Sequence, residues 1–315
     1  MIGVPIRPFS PWQDRLEDAR LLHLFGMSRE GLELARVAKA REVPVVVAPI
    51  CWVEPRAIVA LAPSRARAAL DLAKWAAWPF VPRRLGWRRE LLDIADAILP
   101  NSTAEGRQLA RLFGADPRKL RVVPNGVEAR FAHADPSAFR SRFGAGEFVL
   151  YVGRIEPRKN VRNLIRACAL AGLPLVVLGD AVPGHAGYLD ACRRDGAGRV
   201  RFLPRVEHDD PLLASAYAAC RVVALPSWFE TPGLAALEGA LAGRAVAITP
   251  YGCTREYFGG RVVYARPGRV AEIAHALGRA WDEGPDPSLS EHISEHYLWD
   301  AVARATAEVY DEIAR

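Results

Sequence analysis

The stretch EFVLYVGRIEPRKN, residues 147–160, is a short apolar run followed by a polar loop that carries two cations. A near-continuous apolar strand is typical of a parallel sheet covered by helices on both faces. Gly153 marks the end of the predicted strand, and Arg154 and Lys159 come before a helix that Asn160 is predicted to cap. Because ligands bind at the carboxyl ends of such strands, the stretch predicts a Rossmann-like unit with an anion-binding loop.

Further apolar runs of the same kind follow and are separated by helical patterns. In chain order they are LPLVVLGD, RVRFLPRV, RVVALPS, RAVAIT and RVVYARP. Strands that alternate with helices in this way indicate βαβ units and a parallel sheet. Residues 141–297 are therefore predicted to form a Rossmann-like domain.

An earlier set of runs predicts a second Rossmann-like domain over residues 1–140. These runs are VPIRPF, LLHLFG, VPVVVAPI, DAILPN and LRVVPNGV. In the last helical pattern of this set, Ser102 and Glu105 have the spacing of a capping box. Residues 298–315 form an amphipathic pattern that is predicted to be a helix packing back toward the first domain. The predicted fold class is α/β, with two Rossmann-like domains whose parallel sheets face a cleft.

The composition indicates a globular protein, since half of the 315 residues are hydrophobic and a quarter are charged. No apolar run approaches the ~18 residues of a membrane span, and the N-terminus lacks the apolar core of a signal peptide. The five cysteines are far apart, without metal-ligand or redox spacing. We therefore expect free thiols and a cytoplasmic location. The net charge of +6 allows an anionic partner but does not choose between nucleotide, lipid and nucleic acid.

The stretch WFETPGLAALEG, residues 228–239, predicts the start of a helix after a strand. Thr231 is a suitable N-cap and Pro232 suits the first helical position. The free N–H groups of Gly233 and Leu234 would then lie at the positive end of the helix dipole. Such a helix start binds anions, and phosphate in particular.

Two glutamates flank this predicted anion site. Glu230 precedes the predicted cap, where the helix has no structural need of a carboxylate, so we expect it to accept hydroxyl groups of a sugar. Glu238 would lie about 9 Å from Pro232 along the helix axis, at ~1.5 Å per residue, within reach of a ribose. The alternative interpretation is a carboxylate that stabilises the helix dipole and an ordinary helical glutamate.

The order of these motifs resembles that of retaining glycosyltransferases of family 4, which have the GT-B fold. The motifs that carry the resemblance are ADAILPNSTAEGRQLARLFGADPRKLRVVPNGVE, GRIEPRKN, VVLGD, RVRFLPRV, SWFETPGLAALEGALAG and GCTREYFGG. Together they cover roughly residues 20–310. The resemblance is specific for the family and says little about the substrate.

The resemblance implies roles for residues in these motifs: Glu230, Arg154 and Lys159 in catalysis, and Glu238, Gly233, Leu234, Thr231, Gly153 and Val206 in donor binding. Arg154 and Lys159 would neutralise the donor diphosphate, and the backbone near Val206 would meet the base. The resemblance also implies retention of configuration without a covalent enzyme intermediate. The sequence contains no Asp-x-Asp triplet, which agrees with a reaction that needs no metal or other cofactor.

The sequence departs from the family pattern in its first half. Many relatives carry a histidine where this chain has Ile50, Cys51 and Trp52, and His23 is the nearest substitute for an acceptor-side role. The opening MIGVPIRPF resembles the second strand of such a domain, so the first β-α unit is expected to be missing.

Residues 64–90 combine basic and aromatic side chains. The set is Arg65, Arg67, Lys74, Arg83, Arg84, Arg88 and Arg89 with Trp75, Trp78, Phe80 and Trp87. On an amphipathic helix this mixture suits an anionic membrane surface, which would place the protein at the inner membrane face beside a lipid-linked acceptor. The alternative is a solvated helix whose tryptophans pack inward; nothing else in the sequence supports a nucleic acid partner.

The sequence thus predicts a glycosyltransferase that moves a sugar from a nucleotide-diphosphate sugar to a sugar or lipid-linked acceptor. One alternative is a non-catalytic protein that binds the nucleotide sugar. Another is a GT-B enzyme such as a sugar-nucleotide epimerase, which would need additional acid and base groups that the sequence does not identify.

Overall fold

The computed structural model describes residues 4–80, 86–144 and 146–314. The chain divides into two compact units: the first is Met1–Val53, Pro63–Asn125 and Trp299–Arg315, and the second is Glu54–Ala62 and Gly126–Leu298. The division lies before the expected boundary at residue 140, because Phe139 is part of the second unit's core. Its ring packs against Phe148, and its N–H donates to Ser215 Oγ at 2.9 Å.

The first unit is built on a three-stranded parallel sheet in the order β1-β2-β3. The strands are β1 (Leu22–Phe25), β2 (Val45–Ala48) and β3 (Ala97–Ile98). Its helices are α1 (Arg29–Ala40), α3 (Arg65–Ala77), α4 (Trp87–Ile94), α5 (Thr103–Phe113) and α14 (Trp299–Ile313). Helix α14 packs on the sheet through Val309, which clusters with Val46, Ala97 and Leu99.

Two of the runs predicted as strands in the first unit are not strands. VPIRPF lies outside the sheet, and its two prolines lack the N–H groups that a ladder requires. The run LRVVPNGV contributes only isolated bridges, at Leu120 and Val127. Arg121 N donates to Ile98 O at the end of β3, and Val123 N donates to Pro100 O beyond it, before Pro124 interrupts the pattern.

Helix α5 begins with half of the predicted capping box. Ser102 Oγ accepts from Glu105 N at 3.0 Å, as the pattern predicts. The Glu105 carboxylate does not return to the cap residue; it accepts from Asn101 N at 2.7 Å and from Cys51 N. Glu105 therefore ties the segment after β2 to the segment after β3.

The second unit confirms all six predicted strands. They are β4 (Val149–Val152), β5 (Leu175–Leu178), β6 (Val200–Leu203), β7 (Val222–Leu225), β8 (Ala245–Ile248) and β9 (Val263–Tyr264). All pairs are parallel, in the order β6-β5-β4-β7-β8-β9. This is the strand order of a Rossmann sheet, with its switch point between β4 and β7.

Helices cover both faces of this sheet. The helices of this unit are α2 (Pro55–Leu61), α6 (Ser137–Phe143), α7 (Val161–Ala171), α8 (Ala186–Asp195), α9 (Pro211–Ala219), α10 (Leu234–Leu241), α11 (Thr254–Phe258), α12 (Val270–Glu283) and α13 (Leu289–His296). The strands β5, β7 and β8 are buried throughout, as expected for a sheet enclosed on both faces. Across the described residues, no helix combines the length and apolarity needed to cross a membrane.

Candidate functional site

Two strand-end loops of the second unit are joined at the switch point of the sheet. They are residues 153–160 after β4 and residues 226–233 after β7. Trp228 N donates to Arg158 O at 2.9 Å, and Asn160 Nδ2 donates to Pro226 O at 2.9 Å. Asn160 is the N-cap residue of α7, as predicted, but its side chain makes no capping hydrogen bond, because that buried amide joins the loops instead.

Lys159 and Glu230 form a buried ion pair across these loops. Lys159 Nζ lies 2.6 Å from Glu230 Oε1, and Ser227 Oγ donates to the same oxygen at 2.5 Å. Burial opposes ionisation of Glu230, but the Lys159 charge and the two hydrogen bonds outweigh it and hold its pKa below the ordinary value. Glu230 Oε2 has no hydrogen-bond donor within the described part of the chain, so it remains available to a ligand.

Two arginines differ in how firmly the loop after β4 holds them. The Arg154 side chain is 62% exposed and lies 3.3 Å from Glu156 Oε1. Arg158, which the sequence analysis did not single out, donates to Phe229 O at 3.3 Å and lies over the Phe229 ring. Arg158 therefore braces the two loops, whereas Arg154 is free to move toward an anion.

The helix after β7 starts later than predicted. Its first residue is Leu234 and its N-cap is Gly233, whose φ of 95° is not helical. Thr231 and Pro232, predicted as the cap and the first helical residue, precede the helix and are joined by a cis peptide bond. Glu238 therefore lies about 6 Å into the helix at ~1.5 Å per residue, not 9 Å.

The N–H groups predicted to bind an anion at this helix start remain without acceptors in the described part of the chain, despite the later start. The N–H groups of Gly233, Leu234 and Ala235 have no acceptor among the residues that the structure describes. The site thus includes both predicted N–H groups and adds Ala235. Free donors at the positive end of a helix favour phosphate or carboxylate groups.

The backbone of Glu230 is fixed by the loop after β8. Glu230 N donates to Tyr251 O at 3.1 Å, and Cys253 N donates to Glu230 O at 3.1 Å. A Cβ atom at Gly252 would come within 1.9 Å of Glu230 O. These contacts fix the backbone at position 230 whatever its side chain, whereas the carboxylate itself has structural partners in Lys159 and Ser227 that the sequence analysis did not identify.

Glu238 is a buried carboxylate with a neutral partner. Tyr217 Oη donates to Glu238 Oε2 at 2.5 Å. Burial raises the pKa of Glu238, and this hydrogen bond and the nearby charges of His208 and Arg130 offset only part of the rise. His208 Nδ1 lies 3.7 Å from Glu238 Oε1, too far for a hydrogen bond, so Oε1 can still accept one from a ligand.

Tyr217 and His208 were missed by the sequence analysis because neither lies in a strand-end motif. His208 follows β6 in an irregular segment, where its Nε2 also contacts Glu128 Oε1 at 3.1 Å. Tyr217 lies inside α9, whose apolar pattern indicates only burial. No sequence signal connects either residue to Glu238.

Gly153 and Val206 lie at the same edge of the second sheet as the joined loops. Gly153 has a φ of 146°, and a Cβ atom at Gly179 would come within 2.0 Å of Gly153 O. Two glycines therefore allow the ends of β4 and β5 to approach. Val206 follows β6 and is half-buried, and the adjacent Arg205 N donates to Asp180 Oδ2 at 3.3 Å.

His23 lies in the first unit, beside a cavity of about 540 Å³. Its Nδ1 is 2.6 Å from Tyr310 Oη, and burial lowers its pKa to about 4. Its Nε2 is buried with no hydrogen-bond partner among the described residues. Cys51 is a half-buried thiol whose pKa burial raises to about 11.

The tryptophans of residues 64–90 pack inward. Trp75, Trp78 and Trp87 all contact the core of the first unit, and Arg88 lies over the Trp87 ring at 4.2 Å. Of the predicted aromatic set, Phe80 is 84% exposed. These contacts favour the solvated helix over a membrane-facing aromatic surface; Arg83 and Arg84 lie outside the described residues.

The site can therefore hold anions and hydroxyl groups. Within the ranges 4–80, 86–144 and 146–314, no cluster of three or more His, Cys, Asp or Glu residues has an arrangement that could hold a metal ion. The groups that can meet a ligand are two cations, free helix N–H groups and two carboxylate oxygens.

Family models match both units of the chain. Residues 146–283 match the model described as glycosyl transferases group 1, and residues 12–131 match the model described as glycosyltransferase family 4. A D-inositol 3-phosphate glycosyltransferase of Kribbella flavida is 33% identical over 74% of this chain and 60% of its own length. One of Mycobacterium tuberculosis is 35% identical over 55% of this chain and 38% of its own length. The chain spans less than two thirds of these relatives.

Solved structures show the same fold at low identity. Anabaena HepE in complex with UDP is 19% identical with a TM-score of 0.72, covering 94% of this chain and 80% of that one. Sucrose-phosphate synthase from Thermosynechococcus elongatus is 20% identical with a TM-score of 0.71, covering 94% and 74%. The predicted α/β fold of the GT-B type is thereby confirmed. With both units matched by family models, the chain belongs to the group 1 and family 4 glycosyltransferases.

Proposed function

We propose that the protein transfers a sugar from a nucleotide-diphosphate sugar to a hydroxyl acceptor. The observation that carries this proposal is the buried Lys159–Glu230 pair, which lies between two joined strand-end loops beside the free N–H groups of α10. Support also comes from the relatives named D-inositol 3-phosphate glycosyltransferases and from the structures of HepE with UDP and with UDP-glucose.

The donor diphosphate binds to Arg154, Lys159 and the first N–H groups of α10. The Lys159 ammonium has three N–H donors, of which Glu230 takes one, so the others can meet phosphate oxygens. Arg154 adds a mobile guanidinium that can fork onto the same group. Together they stabilise the negative charge that develops on the departing nucleotide, a role that needs no metal ion.

The two carboxylates accept hydroxyl groups on either side of the diphosphate. Glu230 Oε2 accepts from the transferred sugar and Glu238 Oε1 from the ribose, while the backbone near Val206 contacts the base. Two donors on Glu230 Oε1 and its lowered pKa reduce the nucleophilicity of this carboxylate. This supports a transfer that forms no covalent intermediate on Glu230, while retention of configuration is proposed on the family resemblance alone.

The acceptor binds in the first unit, where His23 can contact one of its hydroxyl groups. The five cysteines are free thiols, which supports a reducing compartment such as the cytosol. The tryptophans of residues 64–90 pack against the core of the first unit and are not presented to a membrane. Peripheral membrane contact is therefore not part of the proposal.

The test measures UDP binding by thermal shift and sugar transfer with a panel of UDP-sugars and acceptors. Glu230→Gln should retain UDP binding and lose transfer by about 100-fold or more, whereas the exposed Glu207→Gln should behave as wild type. Full transfer activity of Glu230→Gln would contradict the assignment. UDP binding without transfer in the wild type would favour the non-catalytic alternative, and an altered nucleotide sugar formed without acceptor would favour an epimerase.

A further inference from the structure

The cavity beside His23 has an apolar wall built from the first unit alone. It lies at the carboxyl ends of β1, β2 and β3 and is covered on one side by α14. Its apolar lining includes Ile6, Phe25, Ile50, Leu99, Trp299 and Val302. A volume of about 540 Å³ is in the range of small-molecule sites, which are lined mainly by apolar side chains with a few polar groups.

One polar group in this wall is oriented and unsatisfied. The His23 ring stacks on Phe25 at 4.1 Å between centroids, and Tyr310 Oη holds its Nδ1 at 2.6 Å. A neutral imidazole has one donor and one acceptor nitrogen, and its tautomer decides which is which. The partnerless Nε2 can pair with a hydroxyl group in either tautomer, because a hydroxyl group both donates and accepts.

The charges around the cavity disfavour an anion. Its described lining residues include the carboxylates Glu105 and Asp300 but no lysine or arginine. The N–H groups of Cys51 and Asn101 already donate to Glu105, so these two groups are not available to a phosphate. A phosphate group is bound most strongly by lysine or arginine, and the described lining contains neither.

We propose that this cavity binds an uncharged acceptor that carries a hydroxyl group and an aromatic or aliphatic group, and not a sugar phosphate. The inference rests on the proposed transferase function and specifies its acceptor class. It separates this chain from the relatives whose names specify inositol 3-phosphate as a substrate. His23 pairs with the acceptor hydroxyl group, and the apolar wall holds the rest of the molecule.

The experiment measures binding by isothermal titration with two probes, phenyl β-D-glucoside and D-inositol 3-phosphate. Ala303→Phe places a ring into the cavity from an exposed position on α14, and Arg304→Phe is the matched control because Arg304 is exposed on the same helix and does not line the cavity. His23→Phe keeps the ring and removes the nitrogen atoms. UDP binding is measured with the same samples.

We expect the wild type to bind the phenyl glucoside and not the inositol phosphate. Ala303→Phe and His23→Phe should each weaken glucoside binding about tenfold or more, while Arg304→Phe leaves it unchanged and all variants bind UDP. Absence of glucoside binding would overturn the inference, and so would inositol phosphate binding that Ala303→Phe abolishes. Normal UDP binding in either case would leave the proposed function standing, whereas loss of UDP binding by the wild type would refute that function.

Discussion

Glu230 and Glu238 lie in neighbouring regions of the second unit and are equally buried, with 4% and 6% exposure, yet their pKa values move in opposite directions. Glu230 faces an ammonium group, so its charged form is stabilised. Glu238 faces a phenol, which is neutral, so burial dominates and its pKa is raised. The contrast shows that the partner, and not the depth of burial, sets the direction in which each pKa moves.

The largest expected effect comes from separating the Lys159–Glu230 pair. Lys159→Met leaves the Glu230 carboxylate buried without its cation and should lower the free energy of unfolding by about 3–5 kcal/mol. Glu230→Leu in the same chain should recover part of this loss, since no buried charge then remains. Urea unfolding of the wild type, both single variants and the double variant measures the coupling energy of the cycle.

A matching substitution at the second carboxylate sharpens the comparison. Tyr217→Phe removes the neutral partner of Glu238. It should lower the free energy of unfolding by less than Lys159→Met does, because Glu238 can take up a proton. For the first pair, the test is additivity. If the changes in free energy of unfolding caused by Lys159→Met and by Glu230→Leu sum to that of the double variant within about 0.5 kcal/mol, Lys159 and Glu230 are not coupled in solution.

A smaller effect is expected at Gly252, whose missing side chain allows the Glu230 backbone to be held in place. Gly252→Ala would force a Cβ atom against Glu230 O and should destabilise the protein by about 2–3 kcal/mol and weaken UDP binding. Gly243→Ala is the matched control, since its φ of 71° is also positive but no atom lies within 4 Å of the added carbon. It should cost about 1 kcal/mol from backbone strain alone. Equal losses for both variants would mean that contact with Glu230 has no effect.

The smallest expected effect is the opposite pH dependence of stability contributed by the two glutamates. The folded pKa of Glu238 lies above its ordinary value of 4.5, so the folded state binds this proton more tightly than the unfolded chain. Its contribution to stability therefore falls as pH rises from 4.5 through the folded pKa. Glu230 has a lowered folded pKa, so its contribution is present above 4.5 and is lost as pH falls through that folded pKa.

Unfolding curves at several pH values test this contrast. Glu238→Gln copies the protonated side chain and should gain stability relative to wild type as pH rises, by about 1.4 kcal/mol for each pKa unit removed. Glu230→Gln should instead lose stability relative to wild type as pH rises toward 4.5. His208→Gln should raise the pKa of Glu238 further, because the His208 charge lowers it. Parallel pH curves for the two glutamine variants would contradict the comparison.

The fold was most predictable where each strand is a complete apolar run. In the second unit, all six runs became strands, and in β5, β7 and β8 burial on both faces requires apolar residues at every position. In the first unit, VPIRPF and LRVVPNGV have comparable apolar content but did not become strands. Prolines interrupt their hydrogen bonding, and the pairing of a strand depends on neighbours that are distant in sequence.

For the candidate site residues, the sequence predicted which loop carries each residue better than it predicted which residues they contact. The motifs correctly placed Arg154, Lys159 and Glu230 at strand ends, because parallel strands align their carboxyl ends along one edge. The predicted start of α10 was wrong. The sequence allows a helix that starts at Pro232 and one that starts after Gly233 with a positive φ, and the structure has the second. The assignments of catalytic and donor-binding roles remain predictions.

The sequence by itself determined the parallel sheet of the second unit and the loops that carry its cations, because these depend on local patterns of apolar residues, glycine and charge. Only the tertiary structure decided that Lys159 meets Glu230, that Tyr217 meets Glu238, and that burial lowers the pKa of His23 beside an apolar cavity. These properties depend on distances between residues far apart in the chain and on the exclusion of water, and neither is encoded in a local pattern.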